Sequence, residues 1–437
     1  MDFMEEFDVA ILGGGITGLT AAQELAKKGI KVLIIEKSSN LGGLLYSIKA
    51  GKSYIEAYYH HFFSNDTFLI NKLKELKLDK KIDWVYTSTA FLFDSGIYEL
   101  SAPQHILFFK PLNLIEKMHF IILMLKVKLS KNINELDKIT AKEWIIKNSS
   151  ESLYKKMFEP LLKSKFGKKA EIISAAWFVE RINLRGERSL KGEKLGYIKG
   201  GFKFLIDAFE KNIKKLNVEV ILNANIENIE KKEIFEISVN GNIIKTKAIV
   251  STIPLHMLKK YRVFDESFNR RIDKIEYQGS LCILTSLKKS LTKYYWVNIV
   301  KKSEIGAIIE HTNFQPKNLY DGHIVYIAQY PDNDSSIWQK SDQDIWNIYF
   351  SELKKLFPHI KDSDVKWYKV FKGFDAGVLY KKGFKKCLLN YDTPIKGFFI
   401  GGLFSMYPER SVNLGIKIGT ELADKAYKYL NIKKFSI

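Results

Sequence analysis

The segment Tyr58-Tyr59-His60-His61-Phe62-Phe63 sets two of the chain's eight histidines side by side among aromatic residues. Imidazole titrates near neutral pH, so His60 or His61, with Glu56 or Tyr58 beside it, could take or give a proton in catalysis. If the stretch is extended, Glu56, Tyr58 and His60 share one face, and Tyr59 and His61 share the other. Adjacent residues on opposite faces make a poor metal pair, and no HxH, HExxH or cysteine partner lies near. Packing and backbone hydrogen bonding are the competing account. A second constellation is basic. Arg181 and Arg185 lie four apart on a predicted helix and share a face, and Arg188 follows just past Gly186. Three guanidinium groups could hold a carboxylate or a diphosphate. Ion pairs with the neighbouring Glu180 and Glu187 would explain the same residues without a ligand.

The elements that must position such groups are clearest at the N-terminus, in FDVAILGGGITGLTAAQELAKKGIKVLIIEKSSNLGG. Residues 7–12 read as a buried strand, a helix runs from the glycines to about Lys28 where Gly29 ends it, and KVLIIE is a second strand. In this βαβ unit the spacing Gly13-x-Gly15-Ile16-Thr17-Gly18 suits a pyrophosphate. Gly13 permits the turn, Gly15 allows close backbone approach, Gly18 lets helix and strand pack, and the helix N-terminus faces the negative charge. Glu36, followed by Lys37, closes the second strand where a carboxylate can accept from an adenosine ribose.

The doublet Gly42-Gly43 comes next. It resembles the second diphosphate-contacting motif of the two-dinucleotide-binding-domain flavoproteins, which NAD dehydrogenases generally lack, so the resemblance implies FAD. Amine oxidases of this group often carry an arginine before the doublet; here the residue is Leu41, and backbone amides would have to serve instead. The order Gly200-Gly201 before an amphipathic helix, strand VEVIL, an Asn240-Gly241 hairpin turn and VSTIP is similar to the return of the chain to the FAD domain in protoporphyrinogen oxidase-like and amine oxidase-like enzymes. By that resemblance Ile226 meets adenine through its main chain and Thr252 sits near the ADP half. GFFIGGLF, the loop SMYPERS and a final helix end the chain as the superfamily ends. Gly401-Gly402 would pass the phosphates, and the amides of Asn413 and Leu414 would face the flavin and stabilise negative charge there. The segment holding the two histidines would then run along the flavin edge towards the substrate.

The resemblance implies an α/β fold: a Rossmann-like FAD-binding domain (GR2-type) with an inserted mixed α+β substrate domain and a helical subdomain. The expected bounds are 1–82, 190–255 and 386–437 for the FAD domain, 83–110 and 256–385 for the substrate domain, and 111–189 for the helical subdomain. Within these, FLFDSGIYEL reads as a hairpin, Leu112 to Leu129 as a helix, and Thr140 to Glu143 as a capping box.

Composition narrows the classes. The chain has 437 residues, 46 % hydrophobic and 27 % charged, a globular balance with room for several domains. Net charge is +20, but the excess is spread along the chain with no arginine-rich or aromatic-interleaved box, so no nucleic-acid partner is expected. It is compatible with an anionic small-molecule or lipid-like substrate. Cys282 and Cys387 are far apart and indicate neither disulfide framework nor zinc site. With an acidic start and no apolar run long enough to span, the expectation is a cytoplasmic protein, with an amphipathic membrane-surface helix at 112–129 as the alternative to a core helix. The leading reading is an FAD-dependent oxidoreductase that moves a hydride from a substrate C–H to flavin N5. A flavoenzyme resembling UDP-galactopyranose mutases, acting on a nucleotide sugar without net redox change, is the second. A non-catalytic prenyl-binding chaperone of the GDP-dissociation-inhibitor type is the third.

Overall fold

The computed structural model describes residues 6–185 and 188–434. Two large sheets and a helical layer make up the molecule. The first sheet has the parallel order Glu219–Ile221, Val32–Ile35, Glu6–Leu12, Asn242–Ser251, with Phe398–Ile400 also pairing parallel to the last of these. Strands Phe235–Val239 and Ile226–Lys231 extend it as an antiparallel meander. The strand Val32–Ile35 is buried at every position, as a parallel strand covered on both faces must be. Helix Ile16–Ala26 crosses between the first two strands, stops slightly before the expected Lys28, and gives way to Gly29 at φ +76°. The long helix Val412–Lys434 lies against it. A side chain at Gly419 would meet the Thr17 carbonyl oxygen at 2.5 Å, so that contact requires a glycine.

The second sheet is ordered Val365–Val378, Tyr277–Leu287, His323–Gln329, Ala307–Glu310, Trp296–Ile299, Thr89–Phe93, Gly96–Glu99. All neighbours are antiparallel except Trp296–Ile299 with Thr89–Phe93. Strands Thr89–Phe93 and Gly96–Glu99 form the expected hairpin, and the turn at Asn240-Gly241 has positive φ at both residues, 51° and 78°. Residues 114–183 are mostly helical. Asn113 and Glu116 close a reciprocal cap at the start of helix Leu114–Leu129, and Thr140 and Glu143 do the same for Ala141–Asn148. Each such cap contributes about 1 kcal/mol. Phe158, Phe178, Trp144 and Trp177 join these helices in one apolar cluster that is continuous with one face of the first sheet.

One local expectation fails. The strand Ser53–Glu56 ends at Glu56, and residues 57–61 are irregular. Pairing is interrupted there: the Ala57 amide donates to the Tyr46 carbonyl, and Phe62 forms an isolated bridge with Gly196. Glu56, Tyr58 and His60 therefore do not share a face.

Candidate active site

The residues expected to bind the nucleotide converge from distant parts of the chain. Gly13 has φ +101°, and a Cβ there would lie 2.8 Å from Thr252 Oγ1; a Cβ on Gly18 would lie 2.0 Å from the Gly13 carbonyl oxygen. Both glycines are demanded by the protein's own packing. Gly15 is different: its φ is −71° and a Cβ would meet nothing within 4 Å. Nothing inside the protein requires glycine at that point, yet it opens a helix with no side-chain cap and no acid in its first turn. An uncapped N-terminus facing open space is what an anionic group needs. Gly42 reaches the same loop, its amide donating to the Gly14 carbonyl at 2.9 Å, and a Cβ on Gly43 would lie 3.2 Å from Gly15 Cα. Glu36 is buried at the strand end, accepting from the Gly14 amide at 2.7 Å and the Ser38 amide at 2.8 Å. Lys37 next to it is exposed. Thr252 Oγ1 donates to the Leu12 carbonyl at 3.0 Å, and the Gly401 amide donates to the Ser251 carbonyl, with a Cβ on Gly402 facing the Thr252 carbonyl at 3.1 Å. Ile226 starts the meander strand beside this edge. At the last helix a Cβ on Gly415 would lie 2.8 Å from Ile16 Cγ2, so the two helix N-termini meet. The Leu414 amide is occupied by Ser411 Oγ at 3.1 Å, while Asn413 uses its side-chain oxygen to accept from the Leu69 amide.

The residues after the doublet fan out. Glu56 is wholly buried and accepts from the Tyr197 hydroxyl at 2.8 Å and the Phe202 amide at 2.6 Å; burial pushes its carboxyl up to about 7 despite both bonds. Gly201, at φ +98°, is needed for this approach, since a Cβ would lie 3.1 Å from Glu56 Oε1. Tyr58 covers Gly373 of the second sheet, and Tyr59 hydrogen-bonds Tyr330 through their hydroxyls. His60 Nδ1 lies 2.6 Å from the Tyr58 carbonyl, and His61 Nδ1 lies 3.1 Å from the Tyr295 hydroxyl. Each ring keeps part of its surface open but is surrounded by protein. Burial, with Arg410 adding to it, pushes His60 down to about 4; burial and then Arg185 and Arg181 push His61 well below its usual range. Both shifts favour the neutral imidazole near neutral pH.

A cavity of about 200 Å³ lies between the helices and the second sheet. Its wall is mainly apolar, with Met157, Phe158, Trp177 and Trp296 prominent, and three cations reach it: Lys165, Arg181 and Arg185. The two arginines do not pair with Glu180. Arg181 lies 3.9 Å from Glu409 and Arg185 lies 3.9 Å from Glu193, both carboxylates being buried. Gly186 and Glu187 fall outside the described residues, as does the side chain of Arg188. Lys165 sits over the Tyr330 ring at 4.5 Å, and burial, followed by Arg181 and Arg410, lowers its ammonium to about 7. Sequence reasoning missed Lys165, Tyr330, Glu409 and Arg410. The last two stand in the quoted loop SMYPERS, but Lys165 is one of 69 basic residues and only the packing distinguishes it.

The fold and the glycine-rich loops are those of a dinucleotide-binding flavoprotein, and a mostly apolar cavity lies between the helices and the second sheet. The chain matches the flavin containing amine oxidoreductase family over residues 16–425, and it belongs to that family. It is thus an FAD-dependent oxidoreductase. It is 24 % identical over 440 residues to a 15-cis-phytoene desaturase of an Oncidium hybrid cultivar, covering 90 % of this chain and 73 % of that one. Among solved structures, a protein from Exiguobacterium sp. provisionally assigned as a protoporphyrinogen oxidase aligns with TM-score 0.78 at 16 % identity, over 97 % of this chain and 99 % of its own. Cyclohexylamine oxidase from Brevibacterium oxydans aligns with TM-score 0.67, also at 16 % identity, over 97 % and 99 %. At such identities these structures speak to the fold alone.

Proposed function

We propose that the chain oxidises a C–H bond of a small apolar or lipid-like substrate that carries an anionic group. The observation that supports this reading is the meeting of Lys165, Arg181 and Arg185 on one otherwise apolar cavity. The volume exceeds the roughly 150 Å³ that admits benzene, so a ring-sized fragment or the end of a longer chain fits. Arg181 and Arg185 hold the anionic group, their charge being permanent. The apolar wall excludes water from the reacting carbon. The loops at Gly13–Gly18, Glu36, Gly42-Gly43, Thr252 and Gly401-Gly402 would hold FAD, which would supply the hydride acceptor. His60 and His61 stay neutral and act as hydrogen-bonding and packing groups. Lys165, its ammonium lowered to about 7 by burial, takes up the proton that leaves with the hydride.

A nucleotide sugar with unchanged redox state is the second reading, supported by the same cations. It is disfavoured by the wall, since sugar hydroxyls need polar partners and the lining has few.

The test is anaerobic reduction followed by loss of flavin absorbance. Apolar amines or alkenes bearing a carboxylate or phosphate should bleach the flavin, and their uncharged isosteres should do so at least about tenfold less efficiently, the equivalent of one lost charge-assisted hydrogen bond. Arg181→Gln should remove that preference. Because Lys165 must be neutral to accept a proton, the second-order bleaching rate should rise as pH passes about 7, and Lys165→Met should flatten the rise. Turnover of sugar nucleotides by pre-reduced protein, with no bleaching by any anionic apolar compound, would replace this reading with the second.

A further inference from the structure

Helix Leu114–Leu129 is apolar on two faces. Leu123 and Val127 are buried inward, and Phe120 and Met124 line the cavity. The outer face carries Leu114, Ile115, Met118, Leu125 and Leu129, and Phe108 extends it from the preceding turn. Phe108 is 80 % exposed, Leu114 79 % and Leu129 76 %. A row at spacings of four, seven and four cannot arise from core packing, because that row points away from the core. Residues 101–134 contain five lysines, at 110, 117, 126, 128 and 131, against one acid, Glu116. Glu116 is buried and bound to Lys156 and Ser152. Lys110, Lys126, Lys128 and Lys131 pair with no carboxylate among the described residues and lie around the apolar row.

We infer that this face docks into the surface of an anionic lipid bilayer, the helix lying in the interface plane. At 16 residues, about 24 Å long, it is too short to cross, and among the described residues no helix is long and apolar enough to do so. An apolar stripe rimmed by lysines is the composition that seats in the headgroup region. A second copy of this chain fits less well, since a two-fold contact would oppose the same lysines. The helix separates the bilayer from the cavity it lines, so a lipid-soluble substrate reaches the cavity past its edge. That last step rests on the proposed substrate class; the docking itself does not.

The experiment is flotation of the FAD-loaded full chain with vesicles of phosphatidylcholine alone or mixed with phosphatidylglycerol. Binding is expected only with the anionic lipid, falling with salt. Each of Lys126→Gln and Lys128→Gln should weaken it about fivefold, and Ile115→Glu with Leu125→Glu should abolish it. Flavin absorbance and bleaching by a water-soluble substrate should be unchanged in these variants, which separates lost docking from lost folding or a wrong substrate class. Absence of flotation, equal flotation with both vesicles, or a dimer in solution that the glutamate variants dissociate would overturn the inference.

Discussion

Glu56 shows how one buried group sets a measurable pH dependence. Its carboxyl is pushed up to about 7 in the fold because burial outweighs the bonds from Tyr197 and Phe202. The folded protein therefore binds this proton more tightly than the unfolded chain, where a glutamate titrates near about 4.3. The stabilising contribution is complete below the unfolded value and disappears as pH rises through the folded one. A shift of this size is worth on the order of 3 kcal/mol. Glu56→Gln mimics the protonated form, with its amide able to face the Tyr197 oxygen. Wild-type stability relative to Glu56→Gln should thus fall by about 2–3 kcal/mol between pH 5 and 8 in urea unfolding. A difference that stays constant across that range would mean Glu56 is ionised throughout. The same residue marks the limit of local pattern reading. Alternation placed Glu56, Tyr58 and His60 together, but Glu56 is drawn to the Gly201–Phe202 turn and ends the strand. That competitor lies well over 100 residues away and leaves no trace in the segment itself.

At the scale of elements, the N-terminal βαβ unit was legible because its constraints are local. Strand, glycine spacing, helix and Glu36 fall within one short stretch, and each glycine answers a steric demand of its neighbours or of a ligand. The two kinds of glycine make a paired prediction. Gly18→Ala drives a Cβ into the Gly13 carbonyl at 2.0 Å and should destabilise even the cofactor-free protein by about 1–3 kcal/mol or more. Gly15→Ala adds a methyl to open space at an ordinary φ of −71°. Its apoprotein should melt like wild type while FAD affinity drops about tenfold or more, ~1.4 kcal/mol. Thermal unfolding of the apoproteins and fluorescence titration with FAD read the two effects separately. Loss of apoprotein stability in Gly15→Ala would place a protein contact where the cofactor is assigned. The helix near Leu112–Leu129 and the capping box at Thr140–Glu143 were equally readable from sequence, while the Asn113 cap was not. The cavity was not: Lys165, Arg181 and Tyr330 come from a helix, a second helix and the end of a strand, and only their packing gives Lys165 its lowered charge.

Across the whole molecule, the proposed cofactor site is a joint between segments remote in sequence. The helix at Ile16 and the helix at Val412 touch at their N-termini, and Gly42 bridges to the first loop. A ligand held by all of these binds the assembled state and not the unfolded chain, so it must stabilise the assembly by mass action. At a free concentration one hundred times its dissociation constant, FAD should add about 2.7 kcal/mol to the apoprotein. The more telling prediction concerns where that stability appears. If each of residues 13–18, 42–45 and 411–415 closes on the same ligand, hydrogen exchange should slow at all three together on FAD addition. Helix Leu114–Leu129 belongs to a different layer and should be little affected by FAD, gaining protection only with anionic vesicles. Protection confined to 13–18 would mean the C-terminal helix packs against the nucleotide loop without sharing the cofactor. Simultaneous protection of all three segments would make the contact between the two helix N-termini part of the binding site, and would explain why glycines at 415 and 419 are needed to bring them together.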